Sequence, residues 1–135
     1  MSVYVDAAVH AWRGRMWCHL FSPDIDELHA FARRLGLQRT WFQDPTAMPK
    51  VSWPHYDTVD ARRTRAIALG AVPLDRHRTS VMSRVVLDRW RGTAGTDRAL
   101  DPLSMHRRLN SPRLPELEEW LLSLHPEYGK PDVGP

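Results

Sequence analysis

His55-Tyr56-Asp57 sets an imidazole, a phenol and a carboxylate side by side, and the pair Arg62-Arg63 follows within one or two helical turns. Imidazoles titrate near neutrality, so they can both take and give a proton. Guanidinium forks match phosphate oxygens and offset the charge that builds on them. A second imidazole, His19, lies inside the apolar run Met16-Trp17-Cys18-His19-Leu20-Phe21. One group to remove a proton, another to return one, and cations for the phosphoryl oxygens are the parts phosphoester chemistry needs. On this reading His19, His55 and Tyr56 are the catalytic candidates and Arg62 and Arg63 hold the phosphate. Trp41 and Tyr56 offer stacking surfaces for a base, and Asp57 either orients His55 or caps the following helix.

Other chemistries are weaker. Cys18 beside His19 resembles a thiol with its base, but neighbours in a strand point to opposite faces, so His19 is poorly placed to activate it. His19, His55 and Asp57 could take a divalent metal. Two histidines and a carboxylate scattered over three segments recur by chance, however, and neither metal nor cofactor is expected. Walker A, Gly-rich dinucleotide, Gly-x-Ser-x-Gly and His-Glu-x-x-His signatures do not occur. With Cys18 as the single cysteine, an intrachain disulfide and a four-cysteine zinc site are excluded.

These groups need elements to position them. Val3-Tyr4-Val5 reads as a short strand with Asp6 at its end, and Trp12-Arg13-Gly14-Arg15 as a turn leading into a strand over 16–21. Residues 24–35 form the clearest helix: acids in its first turn, Ile25, Leu28, Phe31, Ala32 and Leu35 at helical spacing, Gly36 as its stop. His29 falls off that stripe and reads as a solvated surface residue. Thr40 to Gln43 suits a third strand, followed by a proline-rich loop from Asp44 to Pro54. A second helix is expected to start after Asp57 or Thr58 and stop at Gly70. On its wheel Arg62 and Arg63 share a half with Val59, Ala66, Ile67 and Leu69, so they must snorkel or meet an anion. Their partner would be an anion bound at the N–H groups of Val59 to Ala61. Val72-Pro73-Leu74 suits an edge strand, and Thr79 or Ser80 would cap a third helix. Leu114, Leu117, Trp120, Leu121 and Leu124 form one amphipathic stripe near the C-terminus, to cover the domain's own core or a second copy.

Taken in order, Tyr4-Val5-Asp6, Trp17-Cys18-His19-Leu20, Asp26-Glu27-Leu28-His29, Leu35-Gly36, Trp41-Phe42-Gln43, His55-Tyr56-Asp57 and Arg62-Arg63 resemble one family over residues 3–90. It is the bacterial and phage family called domain of unknown function 4031. The resemblance implies that Asp6, His19, Gln43, His55, Tyr56, Asp57 and one arginine of the pair belong to the family's pattern, which adds Asp6 and Gln43 to the ligand-binding set. It implies no activity. Family members reach the His-Tyr-Asp triplet sooner, so the Asp44–Pro54 loop is an elaboration of this chain.

The expected fold is α+β or α/β: a small sheet of three or four short strands, three helices, and a C-terminal amphipathic helix. Residues 1–92 would form the core domain, 93–126 an extension, and 127–135 a disordered tail. Hydrophobic residues at 42% and charged residues at 26% are ordinary for a soluble globular protein. No apolar run suits a membrane span and the N-terminus is unlike a signal peptide, so a cytoplasmic monomer or homodimer is expected. Charge is uneven, with 14 Lys/Arg against 9 Asp/Glu in residues 1–91 but 5 against 7 thereafter. The partner is then a phosphorylated small molecule or nucleotide. The alternative is a non-catalytic module binding nucleic acid through its arginines.

Overall fold

The computed structural model describes residues 2–92 and 101–129. Within them a mixed α and β chain builds one sheet of six strands, β1 (Tyr4–Val5), β2 (His10–Trp12), β3 (Arg15–Phe21), β4 (Phe42–Gln43), β5 (His55–Val59) and β6 (Val72–Pro73). The helices are α1 (Ile25–Arg34), α2 (Asp60–Ala68), α3 (Arg76–Trp90), α4 (Ser104–Arg108) and α5 (Leu114–Leu124). The mixed class agrees with expectation; the strand count is higher, because β2 and β5 also join the sheet.

The strand order is β4-β5-β3-β1-β6, with β2 also on β3. All pairings are antiparallel except β1 with β6. β6 is an edge strand, as its proline requires. Arg13 (φ 49°) and Gly14 (φ 72°) both lie in the left-handed region and close a two-residue β2–β3 hairpin, whose twist that conformation matches. The strand leading into the turn, β2, is exposed throughout and carries no apolar–polar alternation in sequence.

Side-chain alternation along β3 sorts the core into two layers. Leu20, with Val5 and Tyr56 opposite or beside it, packs under α1 and α2 against Leu28, Phe31, Ala32 and Ala66. Phe21 and Tyr4 pack on the other face against Val81, Met82 and Val85 of α3 and Leu117 and Leu121 of α5. The C-terminal stripe therefore covers the chain's own core. α1 starts at Asp24, whose carboxylate accepts the N–H groups of Asp26 and Glu27, and ends before Gly36 (φ 87°).

Two helix starts differ from expectation. α2 begins at Asp60 after Val59, because pairing with β3 draws Asp57 and Thr58 into β5. α3 begins at Arg76 and is capped by Asp75, which accepts Arg78 N–H at 2.7 Å. Residues 127 and 128, expected in the tail, belong to a 3-10 turn, Pro126–Tyr128, and the Tyr128 hydroxyl is hydrogen-bonded to the Asp88 carboxylate. The rest of the expected tail from residue 130, and most of the expected boundary at 92–95, lie outside the described residues. Among the described residues no helix is long and apolar enough to cross a membrane.

Candidate functional site: a histidine–aspartate cluster on the sheet

β1 and β2 follow one another along the same strand: Val5 pairs with Leu20 of β3, and His10 with Trp17. The chain between them leaves the sheet beside Cys18 and His19, and this excursion turns the Asp6 carboxylate onto His19. Asp6 Oδ1 accepts the His19 backbone N–H at 2.6 Å, and Oδ2 lies 2.6 Å from ring Nδ1. A carboxylate can only accept, so Nδ1 carries a proton, and in the neutral ring Nε2 is left with a lone pair. Burial pulls the His19 pKa down, but the hydrogen bond and charge of Asp6, with Asp57, outweigh it and the net shift is upward.

On the other side of β3, His19 and Asp57 are directly opposed across β3 and β5, and His55 stands two residues before Asp57 on the same face. His55 Nδ1 lies 2.8 Å from the Trp53 carbonyl, again a pure acceptor, so the proton is on Nδ1 here too. The Trp53 indole stacks on His55 at 4.6 Å, which keeps the ring nearly buried. His55 Nε2 reaches to 3.3 Å from Asp57 Oδ1, and His19 Nε2 to 3.9 Å from the same oxygen. Burial would raise the Asp57 pKa; the hydrogen bond and charge of His55, helped by His19 and His10, hold it below the usual carboxylate range. His10 joins from β2, its ring 5.2 Å from that of His19. A cleft of about 220 Å³ opens here, lined by His10, Trp12, Trp17, Cys18, His19 and Asp57.

Of the residues singled out from the sequence, Asp6, His19, His55 and Asp57 come together. Gln43 pairs with His55 in the β4–β5 ladder and so shares its face. Tyr56 does not join them: it is almost fully buried on the opposite face, where its hydroxyl is 2.8 Å from Nδ1 of His29. His29, read as solvated, is thus a half-buried partner of that phenol, and burial lowers its pKa, with Arg39 adding to the shift. Arg63 spends its Nε–H on the Asp6 carbonyl at 2.6 Å. Arg62 lies over the Trp41 ring at 5.6 Å. At the start of α2, the carboxylate of Asp60 itself accepts Ala61 N–H at 2.9 Å. At the helix start expected to hold an anion, the expected cap residues, one arginine and an N–H group are thus engaged within the fold.

His10, Trp12, Trp17 and Trp53 are the site residues that sequence reasoning did not single out. Reading Arg13-Gly14 as a hairpin turn would have placed His10 opposite Trp17 and near His19. Cys18 is buried, and desolvation, with Asp6 adding to it, pushes its thiol up to about 12, which makes it a poor nucleophile.

A mixed α/β protein with two anchored histidines, two carboxylates and an open cleft over its central strands is the class that fold and site define. Residues 3–86 match the family described as Protein of unknown function (DUF4031), and the chain belongs to it. No curated protein and no solved structure matches the chain.

Proposed function

We propose that the chain binds a phosphorylated small molecule, nucleotide-like in class, in the cleft at His19, His55 and Asp57, and hydrolyses its phosphoester. The observation that carries this reading is the convergence of His19 Nε2, His55 Nε2 and Asp57 Oδ1, with His19 and Asp57 lining the cleft and each histidine held from behind through Nδ1. Groups fixed in this way lose little orientational freedom when a ligand arrives. Trp12 and Trp17 on the cleft wall replace Trp41 and Tyr56 as the surfaces for an aromatic portion of the ligand.

Hydrolysis requires that a water oxygen bond to phosphorus while its proton departs, and that the ester oxygen gain a proton as its bond to phosphorus breaks. The cluster of Nε2 lone pairs and the Asp57 carboxylate supplies the base side of this exchange. His10, across the cleft, is the candidate for protonating the departing oxygen. The test is turnover of a panel of nucleotides and phosphomonoesters by the full chain and by His55→Ala. Expected is turnover that falls at least 100-fold in the variant while its circular dichroism is unchanged. Turnover that survives the substitution, or none on any substrate, ends the reading. If instead the chain binds polynucleotides with affinity falling log-linearly with salt, the arginine-rich surface rather than the cleft is the binding site.

A further inference from the structure

We infer that His19, His55 and Asp57 form a binding site for a divalent first-row cation of the zinc type. The inference rests on the cleft being the reacting centre; with these three acceptors as ligands, the ion in place of a free lone pair would activate the water there. Both imidazoles give their Nδ1 proton to an oxygen that can only accept, the Asp6 carboxylate and the Trp53 carbonyl. In the neutral rings both Nε2 atoms then face the same carboxylate oxygen, at 3.9 and 3.3 Å, with their lone pairs. With both rings neutral these three atoms are acceptors facing one another, an arrangement that a cation in their midst, whether a proton or a metal ion, turns from repulsion into attraction.

The geometry fits the ion. All three ligand atoms lie within 4.8 Å of one another. Zinc–nitrogen and zinc–oxygen bonds of about 2.0–2.1 Å in a tetrahedron space neighbouring ligands by roughly 3.3 Å. His55 and Asp57 already have that spacing, and His19 closes the difference with a small ring movement. Two of the three ligands, His19 and Asp57, line the cleft, and three protein ligands beside solvent-accessible space suit catalytic rather than structural zinc. Asp6 on His19 and the Trp53 carbonyl on His55 are the outer hydrogen bonds that orient ligating imidazoles and strengthen them as donors.

A second candidate set, Asp6, His10 and His19, shares His19. It is the poorer one, because His19 N–H and Nδ1–H already take both Asp6 oxygens. Such a cation also answers the displacement of the arginines: with Arg63 on the Asp6 carbonyl and Arg62 over Trp41, the positive charge for a phosphoryl group would come from the metal.

The competing occupant of the cluster is a proton shared with Asp57, and metal titration separates the two. The full chain, stripped with chelator, is titrated with Zn²⁺ by calorimetry, with metal content checked by elemental analysis after dialysis. Expected is one equivalent, with affinity reduced at least 100-fold in Asp57→Ala, a half-exposed position where folding is safe. Asp6→Ala should weaken binding 10- to 100-fold as a positioning change, and Asp6→Asn, which keeps one acceptor, should recover part of the loss. Zinc uptake below half an equivalent, or uptake that Asp57→Ala and His55→Ala leave unchanged, overturns the metal site. One bound equivalent without turnover on any phosphoester keeps the metal and removes the hydrolase reading. Turnover by stripped protein that added zinc does not alter does the reverse.

Discussion

The two faces of the sheet are built from alternate residues of the same strands and end up with opposite characters. On one face, α1 and α2 lie over Leu20, Val5 and Tyr56, which are all but fully buried. On the other, α3 and α5 cover Tyr4 and Phe21, while Trp17, His19 and Asp57 beyond them stay partly open. Trp53 stands at the border, its ring 5.1 Å from Phe21 and 5.4 Å from His19. Both faces hold a histidine in a hollow, and the hollow beside His29, lined also by Arg33, Arg39 and Tyr56, is the larger at about 390 Å³. Size does not decide between them. Among the described residues His29 has one hydrogen-bond partner, the phenol of Tyr56, whereas His19 and His55 are each fixed through Nδ1 and aimed through Nε2 at a shared carboxylate. Chemistry belongs where anchored groups converge.

The sharpest way to break the contrast is to strip the helical cover from the face that carries the cleft. Leu117 of α5 is fully buried among Val81, Met82 and Val85, although it lies outside the family match. Leu117→Ala should therefore cost about 2–5 kcal/mol of unfolding free energy, read from urea denaturation. A cost under about 0.5 kcal/mol would mean that α5 is an appendage and the second layer is complete without it.

A smaller effect is expected on the covered face. Tyr56→Phe removes the hydroxyl bonded to His29 and leaves the ring packing against Phe42. Because His29 is half-buried and can turn to water, the expected loss is about 1 kcal/mol or less. Any activity or metal binding of the cleft should be unchanged. If Tyr56→Phe abolished it while stability held, the two faces would be coupled and the assignment of chemistry to one of them would fail.

What the sequence made legible follows the same division. α1 could be read almost to the residue, because its cap, stripe and stop all act locally: Asp24, the Leu28-Phe31-Ala32 series and Gly36. β5 could not. Asp57 and Thr58 have the side chains of helix caps, and only pairing with His19 and Cys18, about 40 residues earlier in the chain, makes them strand. Once they are strand, alternation sends Tyr56 away from His55 and Asp57, so the same error misplaced the phenol. The four groups of the cluster were visible as residue types; the Nδ1 anchors that make them a site depend on the excursion after β1 and on the Trp53 carbonyl, and neither leaves a mark in residue spacing.

The mildest expected effect concerns the seam that holds α5 onto α3. Asp75 caps α3, and its carboxylate also meets Arg78 at 2.7 Å and Arg113, just before α5, at 3.0 Å. Glu116 of α5 receives the same two guanidiniums, so four charges link the starts of both helices. Burial would raise the Asp75 pKa; the Arg78 N–H and the two guanidiniums outweigh it and bring it to about 2. An unfolded aspartate titrates near about 3.9. With the folded value depressed, the ionised form is favoured by folding: its contribution is complete above about pH 4 and is lost as pH falls through about 2. Asp75 is substantially solvent-exposed, so screening keeps the effect modest and salt-sensitive. Urea midpoints of the native chain and of Asp75→Asn, taken from pH 5 down to pH 2, should converge as the pH drops, and 1 M salt should narrow the gap at pH 5. A separation that stays constant over this range would mean that Asp75 acts only as a neutral cap, and that apolar contact alone seats α5 against the open face.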